Sequence, residues 1–372
     1  MFIFRTLILL AGVAFGSYAL AQQTFSSDLA DFRLQTVAEG LNHPWSLAFL
    51  PDGSKLITER AGQLRLIKNG KLQPEPIPGV PELVVAGQGG LLDVLLHPEF
   101  ADNRLLFLSY AHGNSEGMTT RVARARFDGE RLQDVEVIFE ALPRSGTSRH
   151  FAGRMEFDSD GNLYISVGDR GDKPRAQDTR DDAGGVHRLT INGEPAPGNP
   201  FLTDDSVNDT FFTYGNRNIQ GMTRHPQTGE IWTHEHGPRG GDEVNVLKAG
   251  ANYGWPKVTY GIGYSGIPIS DKTTMPGITD PLHYWDPSIA PSGIAFYTGD
   301  LFPEWQGDVF VGALKMRKLV RLRFDNKDVV QEEDLLPDLN ERIRAVNMGP
   351  DGALWLLTDS SKGKVYRMVP AK

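Results

Sequence analysis

The chain has 372 residues, 38 of them Lys or Arg and 47 Asp or Glu, for a formal net charge of −9, and it contains no cysteine. The acidic balance argues against nucleic acid and anionic lipid as partners, since both need clustered basic side chains. Without cysteine no disulfide can hold the fold, so a core of this size, with any bound metal, has to do so.

Residues 1–5 are short and positively tipped by Arg5, residues 6–18 are largely apolar, and Ala19-Leu20-Ala21 precedes polar Gln22-Gln23. This is the layout of a cleaved signal peptide over residues 1–21, and it implies a secreted or periplasmic protein. The apolar run falls short of the roughly 20 residues that span a bilayer, and no later run reaches that length, so no membrane insertion is expected. Cleavage removes one basic residue, Arg5, and leaves the chain still more acidic.

Beyond residue 22 a short phrase recurs: an apolar strand, a turn of Pro, Asp, Asn or Gly, and a second apolar strand. Its turn glycines or asparagines fall at Gly53, Asn103, Gly161, Gly229, Gly307 and Gly352, spaced by 50, 58, 68, 78 and 45 residues. Six hairpins with uneven insertions predict an all-β fold, a six-bladed β-propeller with four-stranded antiparallel blades and the insertions on one face. Residues 22–372 then form one domain. A β-sandwich pair is the other architecture such repeats allow.

Four segments set unusual polar residues beside these hairpins. Arg149-His150-Phe151-Ala152-Gly153-Arg154 precedes the third hairpin and Gly168-Asp169-Arg170-Gly171 follows it. A hairpin returns its ends to one edge, which would let Asp169 orient His150 as a general base, although a histidine near a turn can equally be structural. Asn216-Arg217-Asn218 opens the fourth hairpin and sets a guanidinium among amides, to hold either a polar ligand or a loop.

The third segment runs from Thr233-His234-Glu235-His236 through Gly237-Pro238 to Asp242-Glu243. A glycine–proline bend and carboxylates suit a hard cation such as calcium. Two histidines at i and i+2 do not make the helical pair of a zinc protease. In the fourth, Arg342 and Arg344 share one side of a strand with Ile343 opposite. Facing inward they call for a small polyanion; facing outward they would be an ordinary solvated edge.

Together these segments resemble the soluble pyrroloquinoline-quinone-dependent sugar dehydrogenases, the aldose sugar dehydrogenases in particular. The matching phrases are Gly87-Gln88-Gly89-Gly90-Leu91-Leu92, the His150 and Asp169 segments, Tyr214-Gly215-Asn216-Arg217-Asn218, and the stretch from His236 to Glu243 with Asn252-Tyr253-Gly254-Trp255-Pro256. The resemblance implies oxidation of an aldose at C1, His150 taking the hydroxyl proton while hydride passes to C5 of the quinone, and Asp169 orienting His150. It implies a calcium ion at the cofactor on the carbonyls of Gly237 and Pro238, with Arg217 absorbing charge nearby.

It further implies cofactor contacts from Gln88, Gln177, Asn218, Lys315, Arg342 and Arg344, with Arg317 beside them and Tyr264 at the cofactor or in the adjoining loop. A second, structural calcium would use Glu243 and Tyr253, close to Asp242. His236 stands where glucose-specialised members carry Gln, and the chain is shorter than they are, which favours an open pocket for several aldoses. The expected partners are the sugar and an external electron acceptor, with the protein a monomer or weak dimer. The readings weighed against this are a calcium-dependent propeller lactonase and a non-catalytic secreted propeller that binds glycan or protein.

Overall fold

The computed structural model describes residues 23–371, so the expected signal segment 1–21 lies outside the described residues. Six antiparallel sheets follow one another around an axis. Their innermost strands are Pro44–Phe49, Leu91–Leu96, Met155–Phe157, Ile219–Arg224, Pro291–Phe296 and Ile343–Met348, and each touches the innermost strand of the next blade until the last meets the first. This is the six-bladed propeller that the repeats predict. Helical structure among the described residues is limited to Phe100–Asn103 and three short 3-10 turns, and no helix is long and apolar enough to cross a membrane.

Each recurring phrase is the inner hairpin of one blade. The turns at Gly53, Gly161, Gly229, Gly307 and Gly352 have φ between 75° and 83°, where only glycine is free of strain; in the second blade Arg104, next to Asn103, takes this role at φ 59°. The second strands, such as Leu163–Val167, Val309–Ala313 and Leu354–Thr358, are buried along their whole length because neighbouring blades cover both faces. The outer strand Asp328–Leu335 alternates exposed and half-buried instead.

The apolar core is divided among the six blade interfaces. Leu56, Leu66, Leu106 and Tyr110 pack between blades one and two, and Trp232, Phe296, Val309 and Val320 between four and five. Each such side chain contributes roughly 1.5–3 kcal/mol on burial. The ring closes where Asp31–Leu41, from the start of the chain, pairs antiparallel with Gly363–Pro370 at its end. That pairing makes the last blade from both termini and brings His43 beside Ser360, with His43 N donating to Ser360 O at 2.7 Å.

The axis itself is polar. Arg154 of blade three donates through Nε to Gln220 O (2.8 Å) and through Nη2 to Arg344 O (3.3 Å) and Trp45 O (3.5 Å), and its Nη1 lies 3.7 Å from Asp93. One guanidinium thus ties blade three to blades one, two, four and six.

Candidate active site

The loops that enter the inner strands surround a cavity of about 450 Å³ next to Arg154, within the usual range for small-molecule sites. Trp45, Leu92, Phe151 and Leu314 give it apolar walls, and His43, Arg60, Gln88, Asn218, Gln220, His236, Arg342, Arg344 and Asp359 face it with polar groups.

His150 lies just outside that lining, next in the chain to Phe151 and hydrogen-bonded to Gln88, both of which line the cavity. Its backbone is held at φ 49°, and Ala152 at φ 54°, a left-handed pair that non-glycine residues adopt only under tertiary constraint. The constraint is visible. Gln88 Oε1 accepts from His150 N at 2.7 Å, Asn218 Oδ1 accepts from Ala152 N at 3.2 Å, and Arg170 lies 3.5 Å over the Phe151 ring. The imidazole Nδ1 meets Asp169 Oδ1 at 2.6 Å. Asp169 also accepts from Gly171 N at 2.7 Å and from Trp255 Nε1 at 2.8 Å, so both carboxylate oxygens are fixed.

Burial pushes the His150 imidazole below its ordinary range, against the pull of the Asp169 hydrogen bond, with Arg217 adding to the depression. For Asp169, burial is outweighed by the hydrogen bond and charge of His150, and the carboxyl is lowered. The pair therefore rests as neutral imidazole and carboxylate, with Nδ1–H donated to Asp169. Nε2, which makes no hydrogen bond among the described residues, is left as the accepting nitrogen.

Arg342 and Arg344 both line the cavity, but not by regular alternation: Arg342 precedes the strand Ile343–Met348 and the pairing register shifts across Arg344; the anion between them belongs to the protein. Asp359 Oδ2 accepts from Arg342 Nη2 at 2.8 Å and from Arg344 Nη2 at 3.0 Å, while Oδ1 meets His43 Nδ1 at 2.8 Å. Burial would raise Asp359, but Arg344, His43 and Arg342 hold its carboxyl far below the usual range. Arg60 supplies a third guanidinium to the same wall.

Arg217 donates through Nη1 to His236 O at 2.9 Å and to Gly237 O at 3.2 Å, so a cation already stands beside one of the two carbonyls assigned to calcium. Asp242 is fully engaged as a backbone clamp, accepting from Gly237 N, Ser288 Oγ, Ile289 N and Ala290 N. Glu243 pairs in register with Glu235 across two strands, and burial plus the Glu235 charge push it well above the carboxylate range. Tyr253 donates its hydroxyl to Val246 O and accepts from Lys248 N, which leaves only its carbonyl for a metal.

Four further residues lie outside the cavity lining. Gln177 is tied to Asn252 and Trp255, Tyr264 is 71% exposed on its loop, and Arg317 reaches Asn340. Lys315 is exposed on the turn one residue past the lining Leu314. Conversely, His43, Trp45, Arg60 and Asp359 line the cavity without having been picked out from sequence. A histidine before the first inner strand and an aspartate after the last hairpin carry no local signal.

A cavity at the propeller axis, with a carboxylate-oriented imidazole beside it and three arginines in its lining, has the composition of an enzyme site. The chain belongs to the glucose/sorbosone dehydrogenase family, whose model matches residues 41–367, and it is accordingly an oxidoreductase. It is 42% identical to the aldose sugar dehydrogenase YliI of Escherichia coli, over 92% of this chain and 94% of that protein. A crystal structure of a glucose dehydrogenase superposes with a TM-score of 0.87 at 46% identity, covering 90% of this chain and 98% of that one. The PQQ-bound form of an aldose sugar dehydrogenase from Streptomyces coelicolor superposes at 0.75 with 29% identity, covering 91% and 98%.

Proposed function

We propose that this protein oxidises aldoses at C1 to the lactone with pyrroloquinoline quinone held in the axial cavity. The observation that carries this reading is the His150–Asp169 pair, a neutral imidazole on a carboxylate, beside a cavity whose lining sets three guanidiniums against one carboxylate. That lining has an excess of positive charge and suits a compact polycarboxylate. Bound there, the quinone supplies the two-electron acceptor for the hydride that leaves the sugar.

The protein's part is positional and acid–base. His150 Nε2 takes the proton of the C1 hydroxyl, and Asp169 stabilises the imidazolium that forms, a contribution of roughly 10²–10⁴ in rate. Arg342 and Arg344 hold carboxylates of the cofactor, with Gln88 and Asn218 as amide partners on the cavity wall. Lys315, exposed on the turn next to the lining Leu314, is assigned to the rim; Arg317, Gln177 and Tyr264 are assigned to loops that shape the surroundings. Arg217, held at the His236 and Gly237 carbonyls, would supply positive charge to a cofactor bound there.

For calcium at the cofactor, the chain offers the carbonyls of Gly237, shared with Arg217, and Pro238. An ion that takes six to eight oxygens would draw the remainder from the ligand and water. A second calcium is assigned to Glu243, half-buried opposite Glu235, where a cation would relieve the repulsion between two carboxylates, with the Tyr253 carbonyl as a further donor. We assign residues 1–21 to a cleaved signal and the mature enzyme to the periplasm or the exterior, acting as a monomer or weak dimer on an external acceptor.

A propeller lactonase would centre its metal on axial carboxylates, and here the axis holds the Arg154 guanidinium. The direct test is dye reduction by apo-protein supplied with calcium and pyrroloquinoline quinone, in the presence of several aldoses. Turnover requiring both sugar and quinone is expected; turnover without the quinone contradicts the reading.

A further inference from the structure

The cavity has a second histidine–carboxylate pair that the mechanism leaves unused. His43 stands at the entry to the first inner strand with φ 50°, pinned by its N–H on Ser360 O at 2.7 Å and by Arg60 N on its own carbonyl at 3.0 Å. Its Nδ1 is taken by Asp359 Oδ1. Nε2 makes no hydrogen bond among the described residues, and the side chain, 34% exposed, lines the cavity. The charged groups around it are Asp359, Arg342, Arg344 and Arg60, with Glu59 behind, bonded to Asn42 N and Arg65.

Arg60, Arg342, Arg344 and Asp359 are the fixed charges among the lining residues. With Nδ1 committed to Asp359, Nε2 can meet a ligand carboxylate only by carrying a proton of its own. Guanidiniums cannot change charge near neutrality, whereas an imidazole can, and a carboxylate placed against Nε2 favours its protonated form.

Resting on the cofactor assignment above, we propose that His43 takes up a proton as the tricarboxylate cofactor enters and binds one of its carboxylates through Nε2–H, with Asp359 orienting the ring. Binding and protonation are then linked, so affinity rises as pH falls through the imidazole range.

The test needs neither sugar nor turnover. Apo-protein supplied with calcium is titrated calorimetrically with pyrroloquinoline quinone at pH 7.5 in two buffers of different ionisation enthalpy, which counts the protons taken up. Wild type should take up a measurable fraction of, at most about, one proton per cofactor. His43→Gln should take up none and bind about tenfold more weakly, the usual loss for one charge-assisted hydrogen bond. His43→Arg, permanently charged, should restore affinity without proton uptake, which guards against a misfolded Gln variant. Equal uptake and affinity in wild type and His43→Gln, or no uptake by wild type, would overturn the role of His43 and leave the cofactor assignment standing. No binding by any of the three would contradict the cofactor assignment itself, and this proposal with it.

Discussion

His150 Nδ1 lies 2.6 Å from Asp169 Oδ1, at opposite ends of one hairpin, and the same aspartate is braced from a third segment by the indole of Trp255. The bracing leaves the imidazole one orientation and one resting tautomer. Because burial lowers its pKa, the base form persists to lower pH than in an unperturbed histidine. The acid limb of the pH profile of cofactor reduction should therefore fall below the ordinary imidazole value of about 6.5. Stopped-flow reduction by aldose across pH 4.5–8 measures it, and a limb above that value would conflict with the buried neutral base.

Asp169→Asn removes the charge that stabilises the imidazolium while keeping the shape. We expect the reductive rate to drop by about 10²–10⁴ with cofactor affinity nearly unchanged. Trp255→Phe removes only one brace and should cost about tenfold. Thermal unfolding of both variants, run in parallel, separates a positioning loss from a folding loss.

Asp359→Asn leaves Arg342 and Arg344 facing each other without their anion. Breaking a buried pair of this kind costs about 3 kcal/mol. Since the folded-state carboxyl is depressed, its stabilisation is complete above the unfolded carboxylate pKa and is lost as pH falls through the folded value. The gap in stability between wild type and variant should be full at pH 7 and shrink below about pH 4. Denaturant unfolding at several pH values checks this, and a polyanion such as citrate should restore part of the loss at pH 7.

If calcium occupies the Glu235–Glu243 pair, adding it at about 100-fold excess over its Kd should raise the unfolding temperature by a few degrees. Glu243→Gln should abolish the calcium response. It should also stabilise the calcium-free protein, because it removes a carboxyl that burial and Glu235 oppose. Differential scanning calorimetry with and without chelator reads both effects.

The sequence made plain whatever one hairpin or one strand could encode. All six inner hairpins follow from their turn residues, and His150 and Asp169 meet because a hairpin joins them; Arg342 and Arg344 both reach the cavity, but through a register shift at the start of their strand that alternation alone does not foresee. What escaped it depends on closure of the ring. His43 and Asp359 are 316 residues apart and meet only because the N-terminal strand completes the last blade. Asp242 looked from sequence like a carboxylate beside a metal site, yet four donors, three of them backbone N–H groups, claim it. Arg154 carries no sign in the sequence that its guanidinium will sit on the axis, since that depends on five blades converging there.

The central claim is that His150 is the base acting on a sugar beside cofactor held by the arginine wall. Wild-type and His150→Gln proteins, loaded with pyrroloquinoline quinone, can be mixed with excess aldose in the absence of any acceptor and the cofactor absorbance followed through a single turnover. Equal cofactor loading is predicted, with bleaching in the variant slowed by at least about 10²-fold. Bleaching of the variant at the wild-type rate would contradict the account.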